Sequence, residues 1–336
     1  MATPSEPLRV VEFFAGIGGL HYALQRSGVP HRVVQAFDVD DSAVRTYRHN
    51  LPRTPVSTKN IVSLQQADLQ RLAADCWLLS PPCQPHTRQG LQLAESDGRA
   101  AALARLVDLL EAADPPLLPS SLLLENVVGF ESSSTRTRLR AVLLGRGYSV
   151  RELWASPAQI GVPNQRTRYF LLASRRSACE PLSSYLLPHC GGDGGAEGGA
   201  EAEAMAGAAV AEHVLERYGA AMDLVSRGSR RSCCFTKNYS RYVKGTGSVL
   251  CRLGCEGLLT PLAANRPRFF LPREVANLHG FPPHFGFPPE VSTRKQYELL
   301  GNSLSVQVVA TLLRYLLLPA GDGMAVEEQR RRGSEA

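Results

Sequence analysis

Apolar residues fall in short runs through the first half of the chain. Each run is closed by glycine, an acid or proline, and the stretches between them carry apolar residues at helical spacing. "LRVVEFFAG" predicts a strand that ends in a glycine turn. "GGLHYALQRSG" then predicts a helix, with Leu20, Ala23 and Leu24 on one face and Gly28 as its stop. "HRVVQAFDVD" predicts a second strand closed by acids, and "DDSAVRTYRHNLP" a second helix opened by an Asp/Ser cap. "CWLLSPP" and "SLLLENVVGF" predict buried strands, and "TRYFLLASRR" a further one. Between them, "GRAAALARLVDLLEAADPP" predicts a helix stopped by Pro115 and Pro116, and "RTRLRAVLLGRGYSV" a helix that runs into glycine. Strands and helices that alternate in this way predict an α/β fold, doubly wound and Rossmann-like, with a mostly parallel sheet.

The pattern breaks after residue 180. Residues 190–212 are nearly all Gly, Ala and Glu, a composition that cannot bury a core and predicts a surface insert. "EHVLERYGAAMDLV" predicts a helix, and the C-terminal part predicts two helical stretches around proline-rich loops. The expected layout is a catalytic domain over 1–180 with 269–320 packing back onto it. A small irregular lobe over 181–268 and a flexible tail over 321–336 complete it.

Composition narrows the function classes. The chain is 44% hydrophobic and 20% charged over 336 residues, enough for a large globular core. No apolar run approaches the roughly 20 residues that span a bilayer, so no membrane span is expected. "MATPSEPLRV" has no apolar signal core, which argues against secretion. The eight cysteines form no CxxC pair and show no zinc-ligand spacing, so reduced thiols and no metal are expected. A net charge of +6 hints mildly at a phosphate-rich partner.

Four places carry candidate chemistry. In "EFFAGIGGLHYAL", Gly16, Gly18 and Gly19 allow a tight turn against a helix N-terminus, and Asp38 closes the next strand where a ribose-binding acid belongs. The spacing is GxGG rather than GxGxxG, which disfavours a dinucleotide and suits a ligand with one nucleoside; a purely structural turn is the alternative. In "LSPPCQPHTRQG", prolines hold Cys83 in a stiff loop after a strand. His86 and Arg88 nearby favour a thiolate, but on these grounds alone a nucleophile and a structural thiol are equally good readings. Glu125 and Asn126 end a buried strand at the same sheet edge, where a carboxylate near a thiol suits acid chemistry on a heterocycle. Arg166 and Arg168 are two apart on an expected strand, so both point to one face and could clamp a carboxylate or a carbonyl; a solvated face is the bland alternative.

Taken in order, "FAGIGGL", "SPPCQP", "LLENVVGF", "QRTRYF", "PREVANLHGFP" and "LLGNSLSVQVV" resemble the signature elements of the cytosine-C5 methyltransferases, over about residues 8–180 and 228–318. "RRSCCFTKNYSRYVKGTGSVL" and the "SPPCQPxTRxG" context resemble the branch that methylates cytosine 38 in the anticodon loop of tRNA-Asp. The resemblance implies S-adenosylmethionine as cofactor and tRNA as partner. By the same resemblance Cys83 is the nucleophile that adds to cytosine C6, Glu125 the acid at N3 and the exocyclic amine, and Arg168 with Arg166 the arginines that contact the base. It implies cofactor contacts from Phe13, Ile17, Gly18, Gly19, Asp38, Val39, Asn60, Ile61, Val62, Ser80, Asn302 and Ser303. It makes Arg88, Arg230, Arg231, Lys237, Arg241 and Lys244 candidate RNA contacts, against a reading as solvated charge.

Three departures stand out. His86 replaces an aromatic residue of the branch, Val62 replaces an acid, and the Gly/Ala/Glu insert and the stretch from Cys251 to Pro267 are short. The alternatives are a DNA cytosine-C5 methyltransferase, with DNA otherwise a weak partner, and a catalytically weak RNA binder. A monomer in the cytoplasm is expected, with the nucleus as a second location.

Overall fold

The computed structural model describes residues 6–82, 98–176, 208–251 and 267–318. Seven strands form one sheet: β1 (Leu8–Phe13), β2 (His31–Phe37), β3 (Val56–Ser57), β4 (Cys76–Leu79), β5 (Ser121–Val127), β6 (Ser149–Ala155) and β7 (Arg168–Ser174). Their order is β3-β2-β1-β4-β5-β7-β6. The chain steps outward from β1 to β3, then returns to lay β4 on the other side of β1. This reversal is the switch point beside which ligands bind at the carboxyl ends of strands.

The helices follow the expected punctuation. These are α1 (Gly19–Ser27), α2 (Asp41–Asn50), α3 (Gln66–Leu72), α4 (Gly98–Ala112) and α5 (Ser134–Gly145). Gly28 ends α1 in the left-handed conformation, at φ 75°. The Asp40 carboxylate caps α2 by accepting from the Ser42 and Ala43 N–H groups. One face of the sheet buries Val11, Phe13, Trp77, Leu122 and Leu171 against Leu103, Leu106 and Leu110 of α4 and Leu139 and Leu143 of α5. A C-terminal helix, α9 (Val306–Leu317), packs against α1, and Arg314 donates to the Ser27 carbonyl.

The sheet is mostly parallel, as expected, with one exception: β7 is antiparallel to both β5 and β6, which makes the sheet mixed. Strand β6 and helix α3 were not anticipated. β6 is an edge strand with no fully buried face, so it shows no apolar run.

By contacts the chain divides into two units. The first holds the residues up to Ala155, those from Thr167, and Val306 onward; the second holds Ser156–Arg166 and the described residues up to Ser305. The return to the first unit therefore begins at Val306 rather than 269. The second unit contains α6 (Glu212–Tyr218), a small sheet of β8 (Leu224–Val225), β9 (Val249–Leu250) and β10 (Arg268–Phe269), then α7 (Pro272–His279) and α8 (Thr293–Asn302). Its small core joins Val210, Leu215, Met222 and Val249. Val210 lies in the Gly/Ala/Glu stretch, so the expectation that 190–212 buries nothing is corrected at its C-terminal end. Residues 190–207 of that insert and the 321–336 tail lie outside the described residues.

The run Thr293–Leu317 passes a length and composition test for a membrane span, which the sequence reading did not single out. It comprises two helices that break at Ser303, and 67% of its most apolar window is buried.

Candidate active site

The first unit gathers a polar site at the carboxyl ends of β1, β2, β4 and β5. After β1 the backbone turns sharply: Phe14, Gly16 and Gly18 all have positive φ, at 59°, 55° and 89°. A side chain is strained at such angles, and glycine at two of the three positions removes the strain. The turn delivers α1 with no side-chain cap on its N-terminal N–H groups. Asp38, half-buried at the end of β2, holds the turn. Its carboxylate accepts from Gly16 N at 2.7 Å and from Asp40 N at 2.9 Å. Burial pushes the Asp38 carboxyl above its ordinary value, while the Asp40 and Gly16 N–H groups pull it back down.

Two exposed valines stand out in this unit, one next to Asp38 and one in the segment after β3. Val39 is 65% exposed and Val62 40% exposed. The Asn60 side chain accepts from Val62 N and so fixes that segment, while Ile61 is buried. Exposed apolar side chains near a carboxylate and a glycine turn fit a ligand with a flat apolar ring and a hydroxylated sugar. A carboxylate oxygen already holding one N–H can accept further bonds from such hydroxyls.

Phe13 is placed otherwise. Its ring is wholly inside the core, stacked on Phe37 at 5.6 Å and edge-on to Trp77 at 5.1 Å. Only its backbone reaches the site, where its carbonyl accepts from Ser80 N. Ile17 is buried as well. Ser80 Oγ donates to the Phe14 carbonyl at 3.0 Å and ties the end of β4 to the turn. Asn302 ends α8 and Ser303 follows it, both in the second unit.

Cys83 and Arg88 lie outside the described residues, as does His86. What leads up to Cys83 is described. The parallel register pairs Leu79 with Leu124, so Ser80 stands level with Glu125. Asn126, buried, donates from Nδ2 to the Pro81 carbonyl at 3.3 Å, and its Oδ1 accepts from Val127 N. The proline loop is thus anchored to the end of β5 two residues before Cys83. The sequence signal for this role was the "EN" pair that closes an apolar strand.

Glu125 is 8% exposed. On antiparallel β7, Arg168 faces Val127, which puts it diagonally across from Glu125 on the same side of the sheet. Arg168 Nε lies 3.4 Å from Glu125 Oε1, so the two charges balance. Arg166 does not share that face, and the expected arginine pair is corrected. β7 starts only at Arg168, and Arg166 belongs to the second unit, 2% exposed. Its guanidinium donates to the carbonyls of Phe235, Gly301 and Ser303 and lies 3.4 Å from Cys234 Sγ. It is a buried staple that joins the "CCFTK" segment to the end of α8.

Arg230, Arg231, Lys237, Arg241 and Lys244 are all exposed on the second unit. Arg231 lies 3.5 Å from Asp223, and Arg241 sits over the ring of exposed Tyr242. Among the described residues no group of three His, Cys, Asp or Glu side chains could hold a metal ion.

A mixed, doubly wound sheet with a glycine turn after its first strand and an acid after its second defines an α/β protein of the Rossmann-like class, in which ligands bind at the carboxyl ends of the strands. A family model places it more closely. The C-5 cytosine-specific DNA methylase model matches residues 8–189 and 202–317, and the chain belongs to that family. It is 34% identical to a human tRNA (cytosine(38)-C(5))-methyltransferase over 93% of this chain and 99% of that one. It is 32% identical to a DNA (cytosine-5)-methyltransferase of Dictyostelium discoideum, over 94% and 95%. Among solved structures, the S. pombe Dnmt2 methyltransferase superposes with a TM-score of 0.82 at 31% identity, covering 94% of this chain and all of that one.

Proposed function

We propose that this chain transfers a methyl group from S-adenosylmethionine to C5 of cytosine 38 in tRNA-Asp, through a covalent adduct on Cys83. The observation that carries the reading is the full-length similarity to the human tRNA (cytosine(38)-C(5))-methyltransferase, 34% over 93% of the chain. Val39 and Val62 would flank the adenine, and Asp38 would take the ribose hydroxyls. S-adenosylmethionine, the second substrate, supplies an electrophilic methyl on a sulfonium.

The chain's own residues supply the rest. Cytosine C5 is a poor nucleophile until C6 carries a substituent. The Cys83 thiolate adds to C6, and Glu125 hydrogen-bonds N3 and the exocyclic amine so that electron density gathers at C5. Once C5 is methylated, loss of its proton and of the thiolate restores the ring and frees the enzyme. Arg168 orients Glu125. The target base must leave its stack, which costs less in an anticodon loop than in a duplex. Arg88, Lys237, Arg241 and Lys244 would contact the RNA backbone.

A second reading, methylation of DNA, is favoured by the name of the Dictyostelium relative. The test is incubation with labelled S-adenosylmethionine and either tRNA-Asp transcript or duplex DNA. Label is expected on tRNA at cytosine 38 and not from Cys83→Ala protein. Label on DNA alone would overturn the tRNA reading, and an active Cys83→Ala protein would overturn the mechanism.

A further inference from the structure

At the amino end of β2, the opposite end from Asp38, the first unit has a cavity of about 270 Å3. His21, His31, Arg32, Arg53 and Thr54 line it, with no carboxylate in the lining. Two imidazoles and two guanidiniums in one small space make it the reverse of a cation site.

Both histidines are braced. The His31 Nδ1–H donates to the Val29 carbonyl at 2.7 Å, which leaves Nε2 as its other nitrogen. His21 is 6% exposed, and its Nδ1 lies 3.0 Å from Glu12 Oε1 and 2.9 Å from the Tyr47 hydroxyl. Among the described residues its Nε2 makes no hydrogen bond. Behind it Glu12 is wholly buried, accepts from the Tyr47 hydroxyl at 3.2 Å, and has its second oxygen without a hydrogen-bond partner. The two rings stand edge to face, 6.1 Å apart. Arg32 and Arg53 are exposed, and neither side chain makes a hydrogen bond or ion pair among the described residues. Their forks are available to an oxyanion.

We propose that this cavity is an oxyanion site for a single phosphate group, distinct from the Asp38 site although His21 stands in the first turn of α1. A volume below the usual range for organic ligands, about 300–1,000 Å3, suits one phosphate rather than a whole nucleotide. The charges that face His31 and His21 set the pH dependence. They are Glu12 from β1, Tyr47 from α2, and Arg32 and Arg53 at the rim. Burial, and then His21, hold His31 below its ordinary 6.5, against the Val29 bond and Glu12, which raise it. His31 donates from Nε2 only when protonated. Binding therefore takes up a proton and tightens as pH falls.

The test uses the full chain and does not depend on the proposed reaction. The histidine ring resonances are followed by NMR while inorganic phosphate is added at fixed ionic strength, with chloride as control. Sulfate, whose charge is constant across the range, serves for the comparison of about pH 6 with about pH 8. Saturable shifts of the His31 and His21 rings are expected, stronger at the lower pH. Arg53→Ala and Arg32→Ala, both at exposed positions, should each weaken binding about tenfold. No saturable shift, an equal response to chloride, or full binding in Arg53→Ala protein would overturn the site. If Arg53→Ala also weakens tRNA binding, the phosphate comes from an RNA backbone. If only phosphate binding is lost, it is a free anion. The site stands in both cases.

Discussion

At the scale of single residues, Glu125 and Arg168 form the part of the candidate site whose geometry is most constrained. Each is held by a strand, and the antiparallel register sets their diagonal contact. Glu125→Gln keeps the shape and can still accept from Arg168, so its effect on stability should be about 1 kcal/mol or less. It removes the acid. Methylation under single-turnover conditions should slow by about 10²–10⁴, with the thermal midpoint nearly unchanged. A near-normal rate would remove Glu125 from the chemistry. Glu125 was legible because an acid that ends an apolar strand is conspicuous. Other residues were not. In "FF", Phe13 points into the core and Phe14 takes the strained turn. Both faces of a central strand are buried, so alternation does not reveal which ring faces the ligand. The family resemblance makes Arg166 a base contact, and its spacing from Arg168 suits one face of a strand. Its three carbonyl partners come from segments far along the chain, and no local pattern reveals that.

At the scale of elements, the helices were legible because caps and stops are local, whereas strand direction was not. "TRYFLLASRR" is a buried apolar run in either direction. Only the pairing itself, Arg168 opposite Val127 and opposite Ala155, shows that β7 runs antiparallel to β5 and β6. Helix α3 is held by a cap the apolar pattern does not contain. Asp68 accepts from Gln65 N at 2.8 Å, with Lys59 and Arg71 also on its carboxylate. These groups, the Gln65 N–H first, hold the Asp68 carboxyl below its ordinary 3.8 against the opposing effect of burial. The folded state therefore prefers the ionised form. Its contribution is complete above about pH 3.8 and is lost as the pH falls through the lowered value. Asp68→Ala should cost about 1 kcal/mol at neutral pH, and the gap in melting temperature should close in acid; a gap independent of pH would contradict the assignment. Packing between elements makes a second demand. A Cβ on Gly301, in α8, would lie 2.1 Å from Lys237 N and 2.2 Å from the Thr236 carbonyl carbon. Backbone cannot move aside cheaply, so Gly301→Ala should lose about 1–3 kcal/mol or more in urea unfolding. Gly145→Ala at the end of α5 meets nothing within 4 Å and should be neutral or slightly stabilising, which makes it the internal control.

At the scale of the whole molecule, the chain leaves its first unit after Ala155, returns at Thr167, and returns again at Val306. The sequence reading drew a simpler boundary because composition marks the insert but not the excursion of Ser156–Arg166, which looks like ordinary loop. Charge is the property best judged at this scale. A net +6 is modest, but Arg230, Arg231, Lys237, Arg241 and Lys244 concentrate positive charge in one segment of the second unit. They are not equivalent. Asp223 offsets Arg231, while Lys237 and Lys244 make no ion pair among the described residues. If these lysines meet tRNA phosphates, each contact displaces counterions, and the slope of log affinity against log salt changes by about 0.7–0.9 per contact. The Lys237→Ala/Lys244→Ala double variant should therefore flatten the slope by about 1.4–1.8 and weaken tRNA-Asp and other tRNAs to a similar degree, since backbone contacts carry no sequence information. Arg231→Ala should change the slope less, because its charge is already partly neutralised by Asp223. Filter binding across a salt series reads both effects. An unchanged slope in the double variant would show that these lysines are solvated charge and that the RNA lies elsewhere.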